Sequence, residues 1–189
     1  MSESIRSFLA FDIESELVTK RLVTAQRLLV QTGADLKIVE PKNIHLTIRF
    51  LGDVSPPQVE KVYEIMKNVQ FSAFEVHISG IGAFPDLRNP RVVWAGITSG
   101  ADQLKNIFGQ LEPHLQGAGF TPDPKGFNPH LTIGRVRSGK NRQELSVLLS
   151  NNANYDFGIV KARCLRLKRS ILTPRGPIYS TLKEFCPLL

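Results

Sequence analysis

His45-Leu46-Thr47-Ile48 returns unchanged as His130-Leu131-Thr132-Ile133, 85 residues further along the chain. Self-similarity of this kind exposes architecture, because a repeated element implies repeated surroundings that hold it. Side chains two apart on a β-strand share a face. Leu46, Ile48 and Phe50 therefore anchor one strand to a core, while His45, Thr47 and Arg49 project from its other face. In the second copy Leu131 and Ile133 anchor, and His130 and Thr132 project. Strict alternation puts Arg135 on the Leu131 side, so it joins the histidine only where the strand ends or bulges. Each copy offers an imidazole beside a hydroxyl on a rigid element, a favourable way to hold reacting groups.

Two such pairs facing each other across a cleft suit in-line displacement at phosphorus. One histidine takes a proton from the attacking oxygen and the other gives one to the leaving oxygen, since imidazole titrates near neutral pH. The threonine hydroxyls stabilise charge on the non-bridging oxygens. The near symmetry of the copies leaves open which histidine does which. A lone His-x-Thr is an ordinary surface pair, and only the duplication lifts this one above that reading. His77 and His114 have no such support and read as structural or solvated.

Outward from the repeat, strands and helices alternate without low-complexity tracts. Ile5, Ser7, Leu9 and Phe11 share one face of an opening strand, and Leu17, Val18, Leu22, Ala25, Leu28 and Leu29 share one side of a helix. A short strand spans Leu36 to Val39. Ser55-Pro56-Pro57-Gln58 has the outline of a capping box with proline at the first helical turn. A strand over Phe74 to Ile78, another over Arg91 to Ile97 and a helix through Leu104, Ile107, Phe108, Leu111 and Leu115 follow. The second motif lies in a strand over Phe127 to Arg135. A helix over Leu145, Leu148 and Leu149 and strands over Ile159 to Leu172 and Ile178 to Phe185 close the chain. Short strands mixed with four helices predict an α+β fold of two pseudo-symmetric lobes. Each would be an antiparallel sheet with helices outside, flanking a central cleft, in one bilobal domain over residues 1–189.

Composition narrows the class. Hydrophobic residues make up 42% and charged residues 22% of the 189 residues, which excludes disorder as the dominant state. No apolar run reaches the roughly 18 residues a membrane span needs. The N-terminus lacks a signal-peptide layout, and two cysteines, Cys164 and Cys186, make neither a disulfide framework nor a metal site, so a cytoplasmic protein is expected. Lys and Arg outnumber Asp and Glu by 24 to 17, for a net charge of +7. Such a balance favours a polyanionic partner, with plain solubility as the alternative.

The surroundings of the repeat resemble a known family. Pro41-Lys42-Asn43-Ile44-His45-Leu46-Thr47-Ile48-Arg49-Phe50-Leu51-Gly52 and Phe127-Asn128-Pro129-His130-Leu131-Thr132-Ile133-Gly134-Arg135 are similar to the two motifs of the RNA 2',3'-cyclic phosphodiesterases. These are also called RNA 2',5'-ligases, within the two-histidine phosphoesterase superfamily. The opening strand and Gly176-Pro177-Ile178-Tyr179 extend the likeness over nearly the whole chain. The resemblance implies hydrolysis of a terminal 2',3'-cyclic phosphate to a 2'-phosphate, without metal or nucleotide cofactor. Joining of such an end to a 5'-hydroxyl is the related transesterification. It implies that His45 is the proton donor and His130 the acceptor. It points to a basic residue at Arg135 for substrate. Arg49, by parity, and Phe127, as a base-stacking ring, complete the candidate contacts, although a solvated strand-end arginine is an equal reading of Arg49 and core packing is the plainer reading of Phe127. The implied partners are RNA ends bearing the cyclic phosphate, tRNA fragments among them, and the chain is expected to be a monomer.

Gly134-Arg135-Val136-Arg137-Ser138-Gly139-Lys140-Asn141 nearly matches a phosphate-binding loop. Asn141 stands where that loop needs Ser or Thr for magnesium and reads as a helix N-cap instead, so a nucleotide triphosphatase is excluded. Two alternatives to RNA-end hydrolysis stay open. One is the same chemistry on small cyclic nucleotides or 2',5'-linked oligonucleotides, and the other is a non-catalytic RNA-binding module. Arg137, Lys140, Arg142, Lys161, Arg163, Arg166, Lys168 and Arg169 bear on the choice by whether they line the cleft.

Overall fold

A computed structural model describes residues 4–124 and 126–187. Its strands are β1 (Ile5–Asp12), β2 (Leu36–Ile38), β3 (His45–Val54), β4 (Phe74–Phe84), β5 (Val92–Ser99), β6 (Leu131–Val136), β7 (Asp156–Ala162), β8 (Leu165–Thr173) and β9 (Gly176–Phe185). Its helices are α1 (Glu16–Gln31), α2 (Pro56–Lys67), α3 (Ala101–Gly117) and α4 (Arg142–Asn151). A four-stranded sheet has the order β3-β1-β8-β9 and a five-stranded sheet the order β2-β6-β5-β4-β7. All pairings are antiparallel. The α+β fold with two sheets and four helices is the one the sequence predicts.

The two lobes are interlaced. Helix α1 follows a strand of the first sheet yet packs on β7, β2 and β6 of the second, beside α4. Helices α2 and α3 pack together over the first sheet. The stretch read as one strand from Ile159 to Leu172 is divided at Arg163 and Cys164 into β7, on the edge of the second sheet, and β8, in the middle of the first. No glycine or proline marks that crossing, so local sequence does not announce it. The second-motif strand begins only at Leu131, leaving Phe127 to His130 as irregular chain leading into it.

Helix ends follow the expected chemistry in one case and depart from it in another. Ser55 and Gln58 form the predicted capping box at the start of α2, with Gln58 Oε1 accepting from Ser55 N at 2.8 Å. Asn141 occupies the N-cap position of α4 but in a left-handed conformation, φ 49°, and its amide donates to Thr32 O. Along α1, Val18, Leu22, Ala25 and Leu29 are buried, whereas Leu17 is 56% exposed. Gln26, also buried, donates from Nε2 to Val39 O and Ile133 O, satisfying carbonyls beside the second motif.

Cys164 and Cys186, at the start of β8 and the end of β9, form a disulfide. Among the described residues, Cys164, Glu184 and Cys186 are the one set of His, Cys, Asp or Glu ligand atoms close enough to hold an ion, and the disulfide occupies both sulfurs. No helix of the described residues is long and apolar enough to cross a membrane.

Candidate active site

The two motif strands share a defect that decides which side chains meet. Between β1 and β3, Ala10 pairs with Thr47 but Leu9 pairs with Arg49, so Ile48 is an extra residue. Between β5 and β6, Trp94 pairs with Thr132 but Val93 pairs with Gly134, so Ile133 is the extra residue. A bulge reverses the alternation beyond it. His45, Thr47 and Phe50 consequently share the face of Ala10 and Phe8, and His130, Thr132 and Arg135 share the face of Trp94 and Val92. Phe50 and Arg135 are therefore equivalent positions in the two copies.

This corrects two expectations and decides a third. Arg49 does not project beside His45. It is 6% exposed, hydrogen-bonds Glu112 of α3 through Nε at 2.6 Å and Nη2 at 3.3 Å, and donates to the carbonyls of Phe50 and Thr121. Phe50, read as a core anchor, is 59% exposed and in ring contact with Phe8. Arg135, which strict alternation sends to the core side, is turned to the His130 face. Its charge reaches both His130 and Tyr179. Phe127 stacks on Phe108 of α3 with ring centroids 5.1 Å apart and packs against the core, so one of its faces is already covered.

Strands β3 and β6 approach one another across the lobes, and the charge of His130 is felt at His45. Each imidazole is anchored alike: His45 Nδ1 lies 2.7 Å from Asn43 O, and His130 Nδ1 lies 2.7 Å from Asn128 O. A carbonyl only accepts, so Nδ1 carries the hydrogen in both rings and Nε2 is left to exchange a proton. The ring of Phe8 stacks on His45 at 4.6 Å and Tyr179 meets it edge-on at 5.2 Å, while Phe84 meets His130 edge-on at 4.9 Å. Removal from water pushes the His45 pKa down to about 4, with Lys168 and His130 also lowering it and the Asn43 carbonyl and Asp12 opposing. His130 is lowered by the same desolvation, aided by Arg135 and opposed by the Asn128 carbonyl. Burial disfavours the charged imidazolium, which is the cause in both.

Two site features escaped sequence reasoning. Asp12 lies opposite His45 in register, and its carboxylate binds Lys168 and Arg166. The parity of β8 places Lys168 opposite Phe8 and Arg166 opposite Ala10, on the cleft face. The asparagines two residues before each histidine were the available signal for the Nδ1 anchors, because the motif repeats there too. Of the other basic candidates, Arg169 lies opposite Ser7 on the reverse face of β8. Lys161 and Arg163 lie on and just beyond the outer strand β7, and Arg137, Lys140 and Arg142 lead from β6 into α4.

Paired His-x-Thr motifs in two interlaced antiparallel sheets, each imidazole held at Nδ1 by the backbone carbonyl two residues before it, define a two-histidine phosphoesterase. The family model described as LigT like phosphoesterase matches residues 13–94 and again 96–179, one match for each copy of the motif. The chain belongs to the LigT-like phosphoesterase family. It is 39% identical over 164 residues to an RNA 2',3'-cyclic phosphodiesterase of Aeropyrum pernix, covering 87% of this chain and 93% of that one. It is 35% identical to a protein of the same name from Archaeoglobus fulgidus, covering 96% and 99%. Among solved structures, TT0787 of Thermus thermophilus superposes with a TM-score of 0.79 at 25% identity, covering 96% of this chain and 97% of that one. LigT of E. coli in complex with 3'-AMP superposes with a TM-score of 0.80 at 21% identity, covering 97% and 98%, which shows the shared fold.

Proposed function

We propose that this protein hydrolyses the 2',3'-cyclic phosphate at the end of an RNA to a 2'-phosphate by general acid–base catalysis, without a metal ion. The observation that carries the reading is the matched anchoring of His45 and His130, which fixes one tautomer in both and presents Nε2 as the proton-exchanging atom. Relatives named RNA 2',3'-cyclic phosphodiesterase, at 39% and 35% identity over most of the chain, support the substrate class.

In this reading His130 takes the proton of the attacking water, which bonds to phosphorus as the P–O3' bond breaks. His45 gives its proton to O3'. Thr47 and Thr132 donate to the non-bridging oxygens, and Arg135 holds their charge. Phe50, exposed and backed by Phe8, offers a ring to the terminal base. With the 5'-hydroxyl of a second strand in place of water, the same proton transfers join two ends through a 2',5' linkage.

The decisive experiment compares turnover of an oligonucleotide ending in a 2',3'-cyclic phosphate with that of adenosine 2',3'-cyclic phosphate, in excess chelator and over a range of salt. Persistence of activity and a steeper salt dependence for the oligonucleotide are expected, because more phosphates release counterions. Loss on chelation restored by a divalent ion refutes the metal-free mechanism, and equal salt slopes favour small nucleotides as the substrate.

A further inference from the structure

On the His130 side the cleft continues into a groove of about 620 Å³ that hydrolysis of a cyclic phosphate leaves unused. Gly80, Gly82 and Gly96 line it, Phe84 and Trp94 wall it, and His130 stands at one end. Trp94 is the chain's single tryptophan and pairs across the sheet with Gly82. A methyl group on Gly82 would collide with the six-membered ring of the indole, and one on Gly96 would lie 2.8 Å from Ser79 O and 3.1 Å from the indole Cζ3. The two glycines thus let the indole lie flat on the sheet, presenting its remaining face to the groove. Asp86, at the rim, is engaged by the backbone N–H groups of Arg88 and Asn89 in its own turn.

Packing alone does not account for a tryptophan here. Its Nε1–H is buried and has no hydrogen-bond partner among the described residues. Phenylalanine or leucine would fill the sheet surface without leaving a donor unpaired. The ring contacts add a second observation. Trp94 touches Phe84 at 5.5 Å and Phe84 touches His130 at 4.9 Å, just as Phe50 touches Phe8 at 5.9 Å and Phe8 touches His45 at 4.6 Å. Each histidine has an aromatic neighbour that leads outward to a second aromatic ring.

We propose that this groove is a second nucleotide subsite, in which Trp94 stacks on the base of a nucleotide that presents its 5'-hydroxyl to the phosphorus. The proposal rests on the acid–base reading above, which puts the attacking oxygen on the His130 side. A nucleotide there delivers its 5'-oxygen to phosphorus as its hydroxyl proton passes to His130. The P–O3' bond breaks and O3' takes a proton from His45, giving a 2',5'-phosphodiester and a free 3'-hydroxyl with no further reactant. The reverse reaction cleaves a 2',5'-linked dinucleotide, whose 5'-linked nucleotide occupies the same groove. A flat indole face accepts any base, so the subsite discriminates by linkage and length rather than by sequence.

Because Trp94 is the sole tryptophan, its emission reports the groove directly. Titration of the wild-type protein with 2',5'-linked ApA is expected to quench that emission saturably. Adenosine 2',3'-cyclic phosphate, which fills only the other side, is expected to quench it much less. The Trp94→Leu variant should lose about 5- to 150-fold in kcat/KM for cleavage of 2',5'-ApA relative to its kcat/KM for the cyclic mononucleotide, the range that base stacking is worth. Cleavage of the dinucleotide by the wild-type protein without quenching overturns the subsite whatever the variant does, as does an equal loss on both substrates. Absence of turnover by the wild-type protein on an oligonucleotide ending in a 2',3'-cyclic phosphate removes the underlying reading, and the subsite with it.

Discussion

Replacing Arg49 by methionine tests whether that guanidinium serves the fold or the phosphate. Arg49 and Glu112 form an ion pair at 2.6 Å with side chains 6% and 13% exposed, and the same guanidinium satisfies two backbone carbonyls. Removing one member of such a buried pair typically costs about 3–5 kcal/mol, because the other charge stays behind unpaired. For a protein of this size each kcal/mol lowers Tm by about 2–4 °C, so Arg49→Met should melt about 6–20 °C below the wild type. Arg49→Met combined with Glu112→Leu should recover much of the loss, since an apolar pair of similar volume leaves no orphan charge. Burial raises the Glu112 carboxyl, but hydrogen bonds from Arg49, Gln116 and Asp123 N outweigh it and hold the group below its ordinary range. A depressed carboxyl stabilises the fold above its unfolded-state pKa, and that contribution disappears as pH falls through the folded value. The wild-type advantage over Arg49→Met should therefore shrink in acid. Thermal and urea unfolding monitored by circular dichroism at several pH values make the measurement. A variant that melts like the wild type but loses affinity for substrate would show that Arg49 works in the cleft and refute the assignment.

The acid–base pair should leave a distinctive pH profile. Activity rises as the acceptor deprotonates and falls as the donor deprotonates, and desolvation lowers both imidazoles, His45 to about 4. Both limbs of kcat/KM should then lie below about 6.5, the ordinary imidazole value, while kcat, measured with the phosphate anion bound, peaks at higher pH. Coincident profiles would show that substrate does not raise either group. His45→Ala and His130→Ala should each lower kcat by about 10²–10⁴-fold on a natural cyclic phosphate. An activated aryl phosphodiester should rescue His45→Ala but not His130→Ala, since its leaving oxygen needs no proton, and the opposite rescue would exchange the two roles. Replacing Cys164 and Cys186 by alanine opens a cross-link spanning 22 residues, and a loss of about 3 kcal/mol in urea unfolding is expected. An unchanged midpoint would mean that the β8–β9 pairing already holds the two ends together.

What the sequence by itself determined was local and periodic. Alternation along two identical tetrapeptides put His45 with Thr47 and His130 with Thr132, and sent Leu46, Ile48, Leu131 and Ile133 to the core, where all four are nearly inaccessible. The α+β class was legible for the same reason, because helix and strand periods are properties of a short window. What only the tertiary structure decided was which way the chain faces beyond the four residues of each motif. A bulge is a property of two paired strands, and the residues that pair with β3 and β6 lie 33 or more residues away in the chain. One slipped residue against Leu9 and Ala10 sends Arg49 inward to Glu112 and Phe50 outward, and the matching slip against Val93 and Trp94 brings Arg135 to His130. The cleft's ion cluster has the same origin, since Asp12 meets Lys168 only because β8, from the far end of the chain, inserts beside β1.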